Sequence, residues 1–105
     1  MKLNEAAENS YKTALQRQHN GAYNGADVKV AEILKHCAGE VIEAQEAFMK
    51  WKYEAHEESK YAEELADVII CALIAAGRDK IDIERAVSLK MQINAQRAAM
   101  QGDKL

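Results

Sequence analysis

The feature that most constrains this chain is an apolar run that follows directly on a carboxylate. The nine residues from Val68 to Ala76 carry no charged side chain and no polar group larger than a thiol. Asp67 precedes them, and Glu64 lies one helical turn earlier. A helix that is apolar on both sides is usually buried on both sides, and burying an unpaired charge is costly. The run therefore predicts a doubly packed helix, with its second layer supplied by another subunit, and Asp67 needs a partner.

Helical patterns cover most of the remaining sequence. Strand signals are almost absent, and Ala, Glu, Lys, Leu and Gln dominate, so we predict an all-α chain of four helices. At 105 residues the chain is long enough for one domain, which we place at 1–105 with a tail from about residue 101. The predicted helices span about residues 4–18, 27–53 with Asp27 as N-cap, 61–76 with Gly77 as C-cap, and a fourth from Asp82 or Lys80 to about Met100. Asn-Gly pairs predict a loop before the second helix, and a polar break precedes the third.

The second predicted helix carries a narrow apolar stripe. Its members recur at steps of 4, 3, 4, 3 and 4: Val30, Leu34, Cys37, Val41, Ala44 and Phe48. Glu40 and Glu43 are predicted to lie off this stripe, at about 80° and 140° from its centre. They share their flank with the apolar Ile33, Ala47 and Trp51, so we expect both acids to be partly shielded from water.

Two acid pairs form the sharpest chemical pattern: Glu40-x-x-Glu43 and Glu64-x-x-Asp67. Residues three apart on a helix face the same way, so two packed helices could bring four carboxylates together. Shielded anions repel one another unless they are protonated or bridged by cations, and Mg²⁺ takes carboxylate and phosphate oxygens as ligands. The competing interpretation is that the acids are a solvated helix face, because one such pair alone is usually that.

Composition disfavours several classes of function. A net charge of −3 disfavours nucleic acid as a main partner, because phosphate backbones are bound by basic surfaces. No apolar run approaches the ~20 residues of a membrane span, and the N-terminus lacks the apolar stretch of a secretory signal. Cys37 and Cys71 form no CxxC motif, so we expect free core thiols in a reducing cytoplasm.

The acid pairs lie in segments that resemble a known family. "GEVIEAQEAF" followed by "EELADVIICAL" resembles the MazG-like, all-α nucleoside triphosphate pyrophosphatase superfamily, whose hallmark is ExxE on one helix and ExxD on the next. Downstream, "SLKMQINAQR" is similar to the family's K-x-x-x-N-x-x-R segment. The resemblance covers most of the chain and implies a small, single-domain member of this superfamily. The segment 35–39, "KHCAG", departs from the expected pattern.

The resemblance implies an oligomeric helical bundle, a dimer or a tetramer built from dimers. It implies hydrolysis of a nucleoside triphosphate, a dNTP in particular, to the monophosphate and pyrophosphate, with Mg²⁺ as cofactor and Mn²⁺ as a substitute. The implied metal ligands are Glu40, Glu43, Glu64 and Asp67. Either Glu40 or Glu43 would serve catalysis by positioning the attacking water or taking its proton. The implied substrate-binding residues are Lys90, Asn94 and Arg97.

Two alternatives stay open at the level of sequence. Related bundles act on other pyrophosphate-containing substrates, such as phosphoribosyl-ATP or dUTP and dUDP, and product analysis separates these. The non-enzymatic alternative is a helical oligomerisation or interaction module whose acids are solvated. That module predicts no effect of Mg²⁺ on stability, whereas a real site predicts ligand-coupled stabilisation.

Overall fold

A computed structural model describes residues 2–19, 30–54 and 57–101, and every secondary-structure element in these ranges is a helix. The four helices are α1 (Leu3–His19), α2 (Val30–Tyr53), α3 (Glu58–Arg78) and α4 (Ile83–Gln101). The all-α prediction is thus confirmed for these ranges. The predicted Asn-Gly loop, the Asp27 cap and the tail after residue 101 lie outside the described residues. None of the described helices is long and apolar enough to cross a bilayer.

α3 is the centre of the fold, because both α2 and α1 pack against it. The face that α2 turns towards the interior differs from the predicted stripe. Its buried and half-buried positions are Ile33, Cys37, Glu40, Ala44, Ala47, Phe48 and Trp51. All of them except Phe48 recur at steps of 4, 3, 4, 3 and 4, on a stripe rotated around the helix from the predicted one. Of the predicted stripe, Cys37, Ala44 and Phe48 are covered, whereas Leu34 and Val41 are more than half exposed. The predicted stripe is therefore wrong at Leu34 and Val41, and Glu40 belongs to the packed stripe. The expected partial shielding is confirmed for Glu40 and is wrong for Glu43, which is exposed.

α1 and α3 approach each other closely around a core of small residues. Ala6 and Ala7 are buried against Leu73 and Ala76. Gly77 makes this approach possible, because a Cβ atom added there would lie 2.3 Å from the carbonyl oxygen of Ala7. The prediction that Gly77 ends the third helix is wrong: the helix continues to Arg78, and the glycine serves backbone packing instead.

The turn between α3 and α4 closes with a Schellman motif. The amide of Ile81 donates to the carbonyl of Ala76 at 3.0 Å, and that of Lys80 donates to the carbonyl of Gly77 at 3.4 Å. Lys80 has φ of 55°, the left-handed conformation that glycine would adopt more readily. Two residues on, Asp82 is the N-cap of α4, because its Oδ1 accepts from the amide of Arg85 at 3.1 Å. This outcome confirms one of the two predicted starts.

Asn4 connects the start of α1 to the start of α4. Its side-chain amide donates to Asp82 Oδ1 at 2.9 Å. It also exchanges two bonds with Glu84: the Asn4 backbone amide donates to Glu84 Oε1 at 3.0 Å, and the Glu84 amide donates to Asn4 Oδ1 at 3.2 Å. Hydrogen bonding to Asn4, followed by that to the amide of Arg85, lowers the pKa of Asp82. Beyond this first turn the side chains of α4 are mostly exposed.

A second apolar face of the α2–α3 hairpin has no covering element among the described residues. Leu34 and Val41 of α2 are 55% and 51% exposed, and Leu65 and Ile69 of α3 are 42% and 56% exposed. A groove of 460 Å³ runs along this face. It is lined by Val41, Ala44, Gln45, Phe48, Tyr61 and Leu65. At its end, Trp51 and Tyr61 stack with ring centroids 5.5 Å apart, which joins the two helices.

Candidate metal site

Three of the four predicted acids converge where α2 packs on α3. Glu40 and Glu43 come from α2 and Glu64 from α3, and one carboxylate oxygen of each lies within 4.8 Å of the others. The i, i+3 spacing places the first two on one side of their helix, and the packing of the hairpin brings the third across from them. We call these residues the acid cluster.

The members of the acid cluster differ in their access to water. Glu64 is only 7% exposed, Glu40 is half-buried and Glu43 is exposed. Each of the two less accessible acids has a basic partner on one oxygen. Lys60 Nζ donates to Glu64 Oε1 at 2.8 Å, and His36 Nε2 lies 2.9 Å from Glu40 Oε1.

The second oxygen of each of these two acids has no such partner. Glu40 Oε2 and Glu64 Oε2 are buried and make no hydrogen bond within the described part of the chain. An acceptor removed from water without a hydrogen bond is energetically unfavourable, and more so when it is charged. Both atoms belong to residues of the acid cluster, where a cation is the kind of partner that carboxylate oxygens accept.

The charges of the cluster act on its neighbours. The pKa of Glu43 is raised above its ordinary value, first by the negative charge of Glu40, then by burial and by the charge of Glu64. The pKa of Lys60 is raised because its hydrogen bond to Glu64 and the charge of that acid favour the protonated amine. Both shifts are those expected where anions are crowded.

Asp67 does not belong to the acid cluster. Its side chain is exposed, although its charge is close enough to contribute to the raised pKa of Lys60. Three of the four acids therefore converge, but only Glu40 and Glu64 are shielded from water. Glu64, not Asp67, is the buried acid of α3. In this chain Asp67 lies at the rim, one helical turn from Glu64.

The predicted substrate-binding residues lie on α4, away from the hairpin's packed face. Asn94 is half-buried, and Lys90 and Arg97 are exposed. Among residues 2–19, 30–54 and 57–101, no hydrogen bond or ion pair joins these three side chains to the acid cluster. The described chain thus brings together part of the predicted site, and the α4 cations form a separate group.

His36 and Lys60 are site residues that the sequence analysis missed. Each lies four residues before the acid it contacts, His36 before Glu40 and Lys60 before Glu64. This i, i+4 spacing is the helical signal that could have identified them.

The two cysteines meet beside the acid cluster. Cys71 is buried, Cys37 is half-buried, and both are free thiols, as the spacing predicts. Burial, then a hydrogen bond and proximity to Cys37, raises the pKa of Cys71 to about 12. A thiol with so high a pKa stays protonated and unreactive near neutral pH, so Cys71 is a packing residue.

No protein family model, no curated protein and no solved structure matches the chain. Function is therefore inferred from the acid cluster and its surroundings.

Proposed function

We propose that this chain hydrolyses a nucleoside triphosphate, in particular a dNTP, to the monophosphate and pyrophosphate with Mg²⁺ bound at the acid cluster. The observation that supports this most strongly is the pair of buried carboxylate oxygens without hydrogen-bond partners, Glu40 Oε2 and Glu64 Oε2. On a solvated acidic face, such atoms would be exposed to water. In a cation site, carboxylate oxygens lie close together and are shielded from bulk water by the protein.

The residues of the acid cluster fit a hard divalent cation. All three ligands are carboxylates, the type that Mg²⁺ and Mn²⁺ prefer, and their number leaves positions for water and substrate phosphates. When bound, the ion supplies charge neutralisation and a lowered pKa for an attacking water. Asp67, at the rim, is the proposed fourth ligand. Glu43 is the proposed proton acceptor, because it is the cluster member that reaches solvent and substrate.

The cations of α4 are proposed to neutralise the triphosphate. Lys90 and Arg97 are exposed, and Asn94 lies between them on the same helical face. Charge-assisted contacts from lysine and arginine to phosphate oxygens are a general means of stabilising phosphoryl transfer. α4 contacts α1 near its first turn, where Ile83 packs on the small-residue core, so the rest of α4 is available to a substrate.

A second copy of the chain is the proposed cover for the open apolar face of the hairpin. Leu34, Val41, Leu65 and Ile69 are exposed there, and a contiguous apolar surface of this kind is typical of a protein–protein interface. Self-association would give α3 the second packing layer that its sequence predicts. A dimer, or a tetramer built from dimers, would result.

The same apolar face supports a second candidate, a helical oligomerisation module without catalytic activity. The two candidates differ in what they require of the acid cluster. A module gains nothing from divalent metal, whereas the hydrolase binds metal with and without nucleotide. Product identification also separates a nucleoside triphosphate pyrophosphatase from an enzyme of phosphoribosyl-ATP or of dUTP and dUDP.

A nucleotide panel tests the proposal. The purified chain is incubated with each common NTP and dNTP in Mg²⁺, and pyrophosphate and monophosphate are quantified. We expect both products in equal amounts from at least one nucleotide, and none in chelator. Glu64→Gln should lose turnover, while Glu63→Gln, the adjacent exposed acid on the same helix, should keep it. Absence of pyrophosphate with every nucleotide, from a folded helical protein, refutes the catalytic proposal.

A further inference from the structure

Gly39 is a glycine in the interior of α2 that the packing of the described chain does not require. Beyond its own helix backbone and chain neighbours, a Cβ atom added there would meet no atom of the described residues within 4 Å. Glycine weakens a helix interior relative to alanine, so an interior glycine usually has a packing or functional reason. Gly77 has such a reason in its close approach to Ala7, whereas residues 2–19, 30–54 and 57–101 offer none for Gly39.

The open space at Gly39 belongs to a groove of 380 Å³ on one side of α2. The groove is lined by Glu32, Lys35, His36, Gly39, Glu40 and Glu43. These residues recur at steps of 3, 1, 3, 1 and 3, so they follow one flank of the helix. Two acids of the cluster lie at one end of the groove and Glu32 lies at the other. Between them lie Lys35, His36 and the bare backbone of Gly39.

This flank is distinct from the apolar face proposed to associate with a second copy. At about 100° per residue, Leu34 and Val41 lie on one side of the packed stripe, and Lys35 and Gly39 lie on the other. A second copy seated on the apolar face would therefore leave the groove open. Lys35 makes no ion pair within the described ranges, so its charge is available to a ligand.

We propose that this groove, through Lys35, His36 and the space at Gly39, receives the two terminal phosphates of the nucleotide. The proposal rests on the proposed function, since metal at the acid cluster would hold the same phosphate chain from its other side. Lys35 supplies positive charge, and both Lys35 and His36 supply N–H donors. The missing side chain at Gly39 lets phosphate oxygens approach the helix closely, which any larger residue would prevent.

Calorimetric titration of inorganic pyrophosphate into the purified chain, with Mg²⁺ held constant, tests the groove. Gly39→Leu should fill it and reduce pyrophosphate affinity by about tenfold or more, the effect of losing one or more charge-assisted contacts. Ala38→Leu places the same side chain at an exposed position about 100° around the helix and should leave affinity unchanged. Lys35→Gln and His36→Gln should each weaken binding by about threefold to tenfold.

The substitution at Gly39 carries its own control for folding. Leucine is a better helix former than glycine, so Gly39→Leu should raise the melting temperature while it lowers pyrophosphate affinity. Unchanged pyrophosphate affinity in Gly39→Leu overturns the proposal. Dissociation of the oligomer by Gly39→Leu would also overturn it, because Gly39 would then lie against a second copy and not against a ligand.

Metal binding measured separately distinguishes this inference from the proposed function. Mn²⁺ titration without phosphate reports on the acid cluster alone. If Mn²⁺ binds and pyrophosphate does not, the groove proposal fails and the metal site stands. If pyrophosphate binds equally well in chelator and is lost in Gly39→Leu, the groove stands and the metal-dependent function fails.

Discussion

Replacing Glu64 by glutamine should make the metal-free protein more stable. The substitution keeps the size of the side chain but removes a charge that is 7% exposed and has one oxygen without a hydrogen-bond partner. The new amide group can donate to a neighbouring carboxylate of the acid cluster, which the native carboxylate cannot do. Glutamine therefore relieves the crowding of anions that a metal ion would otherwise neutralise.

The size of this change in the free energy of unfolding follows from two opposing contributions. A buried polar atom without a partner costs about 1–3 kcal/mol. Against this, the ion pair with Lys60 is lost, but the lysine side chain is 63% exposed, and such pairs contribute about 0–1 kcal/mol. We expect the free energy of unfolding to rise by about 1 kcal/mol, which is roughly 4–8 °C in melting temperature for a domain of this size.

Mg²⁺ should reverse the order of stability, so that the native protein becomes more stable than Glu64→Gln. Saturating Mg²⁺ stabilises the native protein by about 2.7 kcal/mol at a hundredfold excess over Kd, and a chain lacking one ligand gains less. Thermal melts followed by circular dichroism, at one protein concentration, in chelator and in Mg²⁺, measure both effects. Glu63→Gln, at an exposed acid beside Glu64, should shift stability by no more than about 0.5 kcal/mol in either condition. A Glu64→Gln protein that is less stable than the native chain in chelator refutes the reasoning, because Glu64 would then be a structural ion-pair residue.

Three further predictions concern the fold. Gly77→Ala should destabilise the chain by about 1–3 kcal/mol in chemical denaturation, because its methyl group would overlap the backbone of α1. Gly39→Ala should instead stabilise the chain by about 0.5–1 kcal/mol, and equal effects of the two substitutions would contradict the packing assigned to Gly77. Lys80→Gly should raise the melting temperature through relief of the left-handed strain, a gain of up to about 1 kcal/mol, and a lower temperature would argue against the turn described. Iodoacetamide at pH 8 should label Cys37 and spare Cys71 until the protein is unfolded. Alkylation needs the thiolate, and the pKa of Cys71, raised from 9.0 to about 12, keeps that thiol protonated. Rapid labelling of both cysteines would contradict the buried position of Cys71.

The helices themselves could be predicted because apolar periodicity and capping residues are local signals. Asp82 was identified as a possible helix start from its type and position alone. The end of α3 was predicted incorrectly, because Gly77 fits the local sequence pattern of a C-cap glycine although the helix continues to Arg78. Its actual role depends on the distance to Ala7, seventy positions away in the sequence, which no local pattern encodes.

The face of α2 was misassigned because this helix has two apolar stripes with the same spacing. They share Cys37 and Ala44, and one adds Leu34 and Val41 where the other adds Ile33. Periodicity gives the number of apolar sides but does not say which side the chain's own α3 covers. The packing of α3 decides that, and the stripe left open is the one proposed for a second copy.

The candidate site was predictable in part for the same reason. The spacing of Glu40 and Glu43 places them on one side of a helix, and packing of the hairpin adds Glu64. Asp67 was expected to be buried because it precedes the apolar run, but burial depends on the rotation of α3 about its axis. That rotation turns Glu64 inwards and leaves Asp67 at the rim. Gly39 and its groove could be recognised only once the neighbouring atoms were known.

The central claim is metal-dependent hydrolysis at the acid cluster. Its most direct test is turnover of the nucleotide panel in water labelled with heavy oxygen, with both products analysed by mass spectrometry. Attack at the α-phosphorus predicts heavy oxygen in the monophosphate and none in the pyrophosphate, with Mg²⁺ required and Glu64→Gln inactive. Absence of Mg²⁺-dependent products, or activity that survives the loss of Glu64, would contradict the account.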